Sequence, residues 1–220
     1  MRRVVVLRPE PGASATVKRA REHGLDAAAA PLFTIEAIPW KAPNPSEFDA
    51  LLFTSANAVR CAGAQLEKFL SLPVYAVGEM TSQAAKERGF AVAATGNRGV
   101  DRLIDCIPPN LKLLHLGGED RRGPSDQAEI AVFPVYRASK VELPDLSLAK
   151  GAIMLIHSPR AGRRLAELVK DRSDILIASI SPAAAEAAGT GWEAVEAAEE
   201  PSDEALLALA ARLCNISVPK

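Results

Sequence analysis

The feature that most constrains this chain is a strand-to-helix corner that occurs twice and each time repeats at the same distance. In "ALLFTSANAVRCAGAQL" (50–66) an apolar run meets Ser55 and a helical pattern follows. In "IMLIHSPRAGRRLAELV" (153–169) an apolar run meets Ser158 and another helical pattern follows. Ser55 and Gly78 are 23 residues apart, and so are Ser158 and Ser181. Each interval holds a helix and a second short apolar run. Each second run ends in another small-residue turn, "VGEMTSQAA" (77–85) or "ISPAAAEAA" (180–188). A repeat of this length and content describes two similar α/β halves.

The rest of the chain fits the same alternation. Short β-branched or aliphatic runs at 3–8, 48–55, 73–78, 112–118, 151–158 and 174–181 read as strands. Helical patterns follow at 13–23, 57–70, 80–88, 160–170, 182–188 and 202–214. The last carries a cap at Ser202-Asp203-Glu204 behind Pro201. Strands that alternate with helices imply parallel sheets covered on both faces. The fold class is therefore α/β: two similar parallel-sheet domains joined by a two-stranded extended connector. One domain is expected to be 41–132. The other is discontinuous, 1–30 plus 141–220, because the second half needs the N-terminal strand to fill its sheet. Residues 31–40 and 131–140, extended and proline-containing, are the connectors, and Pro134 argues for an edge or linking position.

A net charge of −1 argues against a nucleic-acid or anionic-membrane partner, although Arg2, Arg3, Arg8, Arg160, Arg163 and Arg164 are candidates for a local basic cleft. The three cysteines and three histidines are scattered, with no metal-ligand spacing, so no metal site and a reducing compartment are expected. "MRRVVVLRPE" holds four apolar residues in a row, which is a strand and too short for a signal or a membrane span. The expected location is the cytoplasm.

In open α/β sheets, ligands sit beyond the carboxyl ends of the strands, where helix N-termini offer N–H groups and partial positive charge. Four such corners exist: Thr54–Asn57, Gly78–Thr81, Ser158–Arg160 and Ser181–Ala184. Together they suit a large ligand with several carboxylates or phosphates. Each serine is also a good helix N-cap, and capping is compatible with binding through the backbone. Neither Ser55 nor Ser158 has the flanking glycines of a nucleophile elbow. "LHLGGEDRRG" (114–123) lacks the lysine of a phosphate loop and reads as a tight turn. Tyr136, in the second connector, could line a domain junction or aim its phenol into a cleft. Arg8 ends the first strand, on the same side as the corners; its plainer role is a surface ion pair.

On these residues the chain resembles the uroporphyrinogen-III synthase family. The resemblance runs through "LRPEPGA" (7–13), "DALLFTSANAV" (49–59), "VYAVGEMTSQAAKERGF" (74–90), "VYRA" (135–138), "IMLIHSPRA" (153–161) and "EEPSDEALLALAARL" (199–213). It implies an enzyme that removes water from hydroxymethylbilane, inverts ring D and closes the macrocycle to uroporphyrinogen III, without cofactor or metal. It places the family's connector tyrosine, a proposed proton donor, on Tyr136. It places substrate contacts on Thr54, Ser55, Asn57, Gly78, Thr81, Ser158 and Pro159. Arg8, Arg160 and Ser181 join them by position. The last corner departs from the family pattern: Ala183 and Ala184 stand where threonines are common, so their part passes to backbone N–H groups or Ser181. The expected partners are the small-molecule substrate and, transiently, the enzyme of the preceding step, with the protein a monomer. The competing reading is a non-catalytic two-domain protein of the same fold that binds an anion or tetrapyrrole, or regulates.

Overall fold

The computed structural model describes residues 1–96, 100–120 and 129–215. The chain opens with β1 (Val4–Val6), α1 (Gly12–Glu22), β2 (Ala27–Ala29) and β3 (Phe33–Ala37). It continues through β4 (Ala50–Phe53), α2 (Ala56–Cys61), β5 (Val74–Val77), α3 (Glu79–Glu87) and β6 (Val92–Gly96). Next come α4 (Val100–Ile104), β7 (Leu113–Gly118) and β8 (Ile130–Lys140). The remainder is β9 (Ile153–Ile156), α5 (Pro159–Leu168), β10 (Leu176–Ser179), α6 (Pro182–Ala188), β11 (Ala194–Ala197) and α7 (Asp203–Cys214). Two compact units result. Unit 1 is Met1–Thr34 with Lys140–Lys220, and unit 2 is Ile35–Ser139. The divisions fall inside 31–40 and 131–140.

Unit 1 is built on a five-stranded sheet of order β11-β10-β9-β1-β2, every pair parallel. Its central strands are buried along their whole length, as strands covered on both faces must be. Val4, Val6, Ile153, Leu155, Leu176 and Ala178 point to one face, where they pack with α1 and α7. The order contains a reversal. From β1 the chain winds outward to β2, and from β9 it winds the other way through β10 to β11. The switch point lies between β1 and β9.

Unit 2 carries the six-stranded sheet β3-β8-β7-β4-β5-β6. From β4 the chain winds through β5 to β6, then returns to the other side of β4 for β7 and β8. All these pairs are parallel. The switch point lies between β4 and β7. Leu51, Phe53, Leu114 and Leu116 pack with α2 and α3 on one face. Ala50, Leu52 and Leu113 pack with Leu103 and Ile107 on the other.

Three local readings change. The helix expected over 57–70 ends at Cys61, and a 3-10 turn, Ala64–Phe69, follows. Gly63 between them has φ 67°, in the left-handed region that stops a helix, and Trp40 Nε1–H donates to the Ala62 carbonyl at 2.8 Å. Pro134 is not at a sheet edge, since β8 lies between β3 and β7. The ladder tolerates it because the register shifts there: Gly117 faces Pro134 and Gly118 faces Tyr136. The two glycines of "LHLGGEDRRG" extend β7 and do not form a turn; the turn follows at 119–120. The end of that stretch, 121–123, and residues 97–99 ahead of α4 lie outside the described residues.

Candidate functional site

All four sequence corners become helix N-caps at the carboxyl ends of parallel strands. Ser55 caps α2, Gly78 caps α3, Ser158 caps α5 and Ser181 caps α6. The serine oxygens are engaged as acceptors. Ser55 takes the Asn57 N–H at 3.2 Å, Ser158 the Ala161 N–H at 3.2 Å and Ser181 the Ala184 N–H at 3.3 Å. Each hydroxyl proton is still left to donate. Pro159 occupies the first helical position of α5, where its missing N–H costs nothing. Arg160 stacks its guanidinium on the Phe33 ring, 4.6 Å from the centroid.

In unit 1, Arg8 follows β1 and His157 directly follows β9, so both stand at the switch point. The group that joins them is Asp203, the first residue of α7. Its carboxylate accepts from His157 Nε2 at 2.9 Å, from Arg19 Nε at 3.0 Å and again from Arg19 Nη2. Thr16 Oγ1 lies 3.0 Å from both carboxylate oxygens, and Arg8 Nη1 donates at 3.4 Å. A carboxylate only accepts, so the His157 proton in this bond is on Nε2. The His157 side chain is 7% exposed. Burial pushes its pKa down; the Asp203 bond pushes back, and the Arg8 charge lowers it further. Its Nδ1 is buried without a hydrogen bond of normal geometry, although the Leu155 carbonyl is close enough to favour a proton on the ring. For Asp203, burial alone would raise the pKa. The hydrogen bonds from His157 and Arg19, with the positive charge of Arg19, outweigh it and hold the carboxyl well below the usual range.

In unit 2, Thr54 follows β4 and Gly118 ends β7, again at the switch point. Thr54 Oγ1 lies 3.0 Å from Nε2 of His115, which is 1% exposed. Tyr136 is half-buried on β8 and lies flat against Gly118. A Cβ added to Gly118 would sit 2.9 Å from Tyr136 Cζ and 3.0 Å from its hydroxyl oxygen. Gly118 is thus the floor on which the phenol rests. The Tyr136 hydroxyl makes no hydrogen bond to a described residue. Asn57 is half-buried in the first turn of α2. Thr81 is 4% exposed on the buried face of α3, and its N–H donates to the Gly78 carbonyl at 3.1 Å. The Gly78 N–H is spent on Gly96 at 2.8 Å.

Sequence reading left out Asp203 as more than a cap, and with it Thr16, Arg19 and the pairing of His157. Asp203 lies 46 residues from His157 and 195 from Arg8, so no local spacing could announce the cluster. The sequence shows His115 only as an isolated histidine and Gly118 as part of a tight turn. Among the described residues no group of His, Cys, Asp and Glu side chains is arranged to hold a metal ion, and no helix is long and apolar enough to cross a membrane.

The chain was compared with known proteins. In sequence, it is 28% identical over 123 residues to a uroporphyrinogen-III synthase from Chlorobaculum parvum, a stretch covering 51% of this chain and 50% of that protein. The chain thus aligns with about half the length of this relative. In structure, it superposes on a uroporphyrinogen-III synthetase from Helicobacter pylori with TM-score 0.70 and 21% identity, over 97% of this chain and 100% of the other. A mutant uroporphyrinogen III synthase from Thermus thermophilus superposes with TM-score 0.52 and 16% identity, over 97% and 99%. At these identities the superpositions speak for the fold. The sequence model of the family described as uroporphyrinogen-III synthase HemD matches residues 14–208. That span is most of the 220 residues, and the chain belongs to the uroporphyrinogen-III synthase family.

Proposed function

We propose that this protein is a cyclising lyase that converts hydroxymethylbilane to uroporphyrinogen III in tetrapyrrole biosynthesis. The observation that carries the reading is the family match over 14–208. The site chemistry supports it. The bilane carries eight carboxylates, and the chain offers capped helix starts and hydroxyls at the carboxyl ends of its strands. Backbone and hydroxyl donors hold anions without the net charge that would trap the product. A near-neutral protein can therefore bind a strongly anionic substrate and release it.

In this proposal unit 1 and unit 2 correspond to the domains 1–30 plus 141–220 and 41–132. Tyr136 is the catalytic hydroxyl. Its phenol, bonded to no described residue and resting on Gly118, hydrogen-bonds the departing hydroxyl of the bilane. The pyrrole nitrogen drives that departure, so the acid assists a reactive substrate. Thr54, Ser55, Asn57, Ser158 and Ser181 bind substrate oxygens through N–H and O–H groups, while Gly78, whose N–H is taken by Gly96, and Pro159, which has none, shape the turns that present them. Thr81, being buried, contributes through the placement of its turn. Arg8 and Arg160 add positive charge. The remaining demand is conformational: the chain holds the bilane coiled so that its ends meet in the inverted orientation. The protein acts as a monomer in the cytoplasm, without a cofactor, and meets the preceding enzyme only transiently.

The test is direct. The protein is mixed with freshly made hydroxymethylbilane and the isomers are separated. Isomer III in excess over isomer I is expected. Isomer I at the spontaneous rate, with tight binding of the bilane, would overturn the reading in favour of a binding or regulatory protein.

A further inference from the structure

In unit 1 the weakest bond to Asp203 is the informative one. Arg19, His157 and Thr16 sit at ordinary or short hydrogen-bond distances from its carboxylate. Arg8 stands off at 3.4 Å from Asp203 and at 3.4 Å from Thr16, in both cases through Nη1 alone. The Arg8 side chain is 34% exposed, whereas Asp203 is 18% exposed and His157 7%. Arg8 is therefore aimed but not consumed. The guanidinium lies across the start of α1, where a Cβ on Gly12 would fall 2.6 Å from Arg8 Nε.

The charges do not cancel. Two guanidinium groups face one carboxylate, and the buried His157 is the neutral form at pH 7, donating through Nε2. Glu10, the acidic residue nearest in sequence, is bonded instead to the Ser14 N–H and hydroxyl at 2.9 Å each. Within the network of Arg8, Arg19 and Asp203 one positive charge is uncompensated, at the crevice between β1 and β9, where an open α/β sheet takes its ligand.

We propose that Asp203 is the positioning residue of a carboxylate receptor in unit 1, with Arg8 as the contacting group and Thr16, Arg19 and His157 fixing the Asp203 carboxylate. The ligand class is a flexible carboxylate side chain. If the function proposed above holds, that is one acetate or propionate arm of the bilane. Arg8 then reads the substrate by charge, and Asp203 sets where Arg8 points without touching the substrate.

The test measures kcat and KM for isomer III formation with Arg8→Gln, Arg8→Lys, Asp203→Asn, Thr16→Val and the Arg8→Gln/Asp203→Asn double variant. In parallel, the stable octacarboxylate uroporphyrin III is titrated onto each protein. Losing one charge-assisted bond is expected to raise KM about tenfold in Arg8→Gln while kcat stays within about twofold. Arg8→Lys recovers part of the loss. Asp203→Asn raises KM comparably, and the double variant is no worse than Arg8→Gln. An unchanged KM in Arg8→Gln, or losses that multiply in the double variant, would overturn the proposal, since a purely structural Asp203 would act independently of Arg8. If Asp203→Asn does not fold, Thr16→Val decides: a KM equal to that of the parent refutes positioning. A parent protein that makes no isomer III sinks the function proposed above but not this inference. The receptor then stands or falls on whether Arg8→Gln weakens uroporphyrin III binding.

Discussion

At the switch point of unit 1 stand Arg8 and His157, tied through Asp203 to Arg19 and Thr16. At the switch point of unit 2 stand Thr54 and Gly118, with His115 beneath the threonine and Tyr136 across the glycine. Both sheets are wound about a reversal, and both present serine-capped or glycine-capped helices at the same edge. The chemistry installed there differs. Unit 1 has a network of ions around one carboxylate. Unit 2 has a hydroxyl on an imidazole and a phenol resting on bare backbone. The winding decides where a site can be, and the side chains that follow the two central strands decide what the site does.

The comparison is broken most forcefully at Asp203. Removing the carboxylate leaves Arg8, Arg19 and a buried imidazole without their common acceptor. A fully buried pair broken this way costs ~3–5 kcal/mol. Arg8 and Arg19 keep 34% and 38% of their side chains exposed, so a smaller loss of about 2 kcal/mol is expected for Asp203→Ala. Chemical denaturation reads it directly. A midpoint equal to that of the parent would mean that the network does not stabilise unit 1.

At the phenol, Tyr136→Phe should slow isomer III formation by about tenfold, below the usual range for a general acid because the substrate is reactive. Gly118→Ala should fall in the same direction, because the new Cβ displaces the ring it now supports. Adding Tyr136→Phe to Gly118→Ala should cost little more. A fully active Tyr136→Phe protein would leave positioning as the source of catalysis.

Capping and pairing give smaller effects. Ser158→Ala removes the cap of α5 and should cost about 1 kcal/mol of stability, with a rate close to the parent's because the helix N–H groups remain. Thr54→Val should also cost about 1 kcal/mol through the lost bond to His115. Stability curves for the two variants, measured side by side, show whether the two switch points are equally tied down.

The smallest effect expected is on acid sensitivity, and it belongs to unit 1. His157 has its folded pKa lowered from 6.5, so the unfolded chain takes up a proton first as pH falls. Its contribution is complete above about pH 6.5 and is lost below that. Asp203, lowered from 3.8, holds its contribution down to the carboxylate range and loses it only in stronger acid. The melting temperature should therefore fall between pH 7 and pH 5, and less steeply in His157→Gln. Identical slopes would remove His157 from the acid response.

Much of this was legible in the sequence. The strand runs are aliphatic and the helices begin at Ser, Gly or Pro, so the α/β alternation and the four corners follow from local chemistry. α6, at Pro182–Ala188, and the cap at Ser202 fall where the sequence puts them. The family resemblance rested on the order of those same corners. Where reading failed, the cause was not local. The break at Gly63 depends on a bond from Trp40, and the place of Pro134 inside the sheet depends on a register shift against Gly117 and Gly118. The site suffered most. Asp203 looked like a helix-start residue and His157 like a lone histidine, because neither carries a trace of its partner in its own neighbourhood.

The sequence by itself determined the period of the elements, the caps and the class of fold, since these arise from backbone preference and burial within a few residues. The tertiary structure alone decided which strands flank each reversal. That choice brings Arg8, His157 and Asp203 to one point and sets Tyr136 on Gly118. Strand order is a matter of long-range packing, in which distant segments are joined by the apolar faces they share, and the polar side chains at the strand ends are carried along with them.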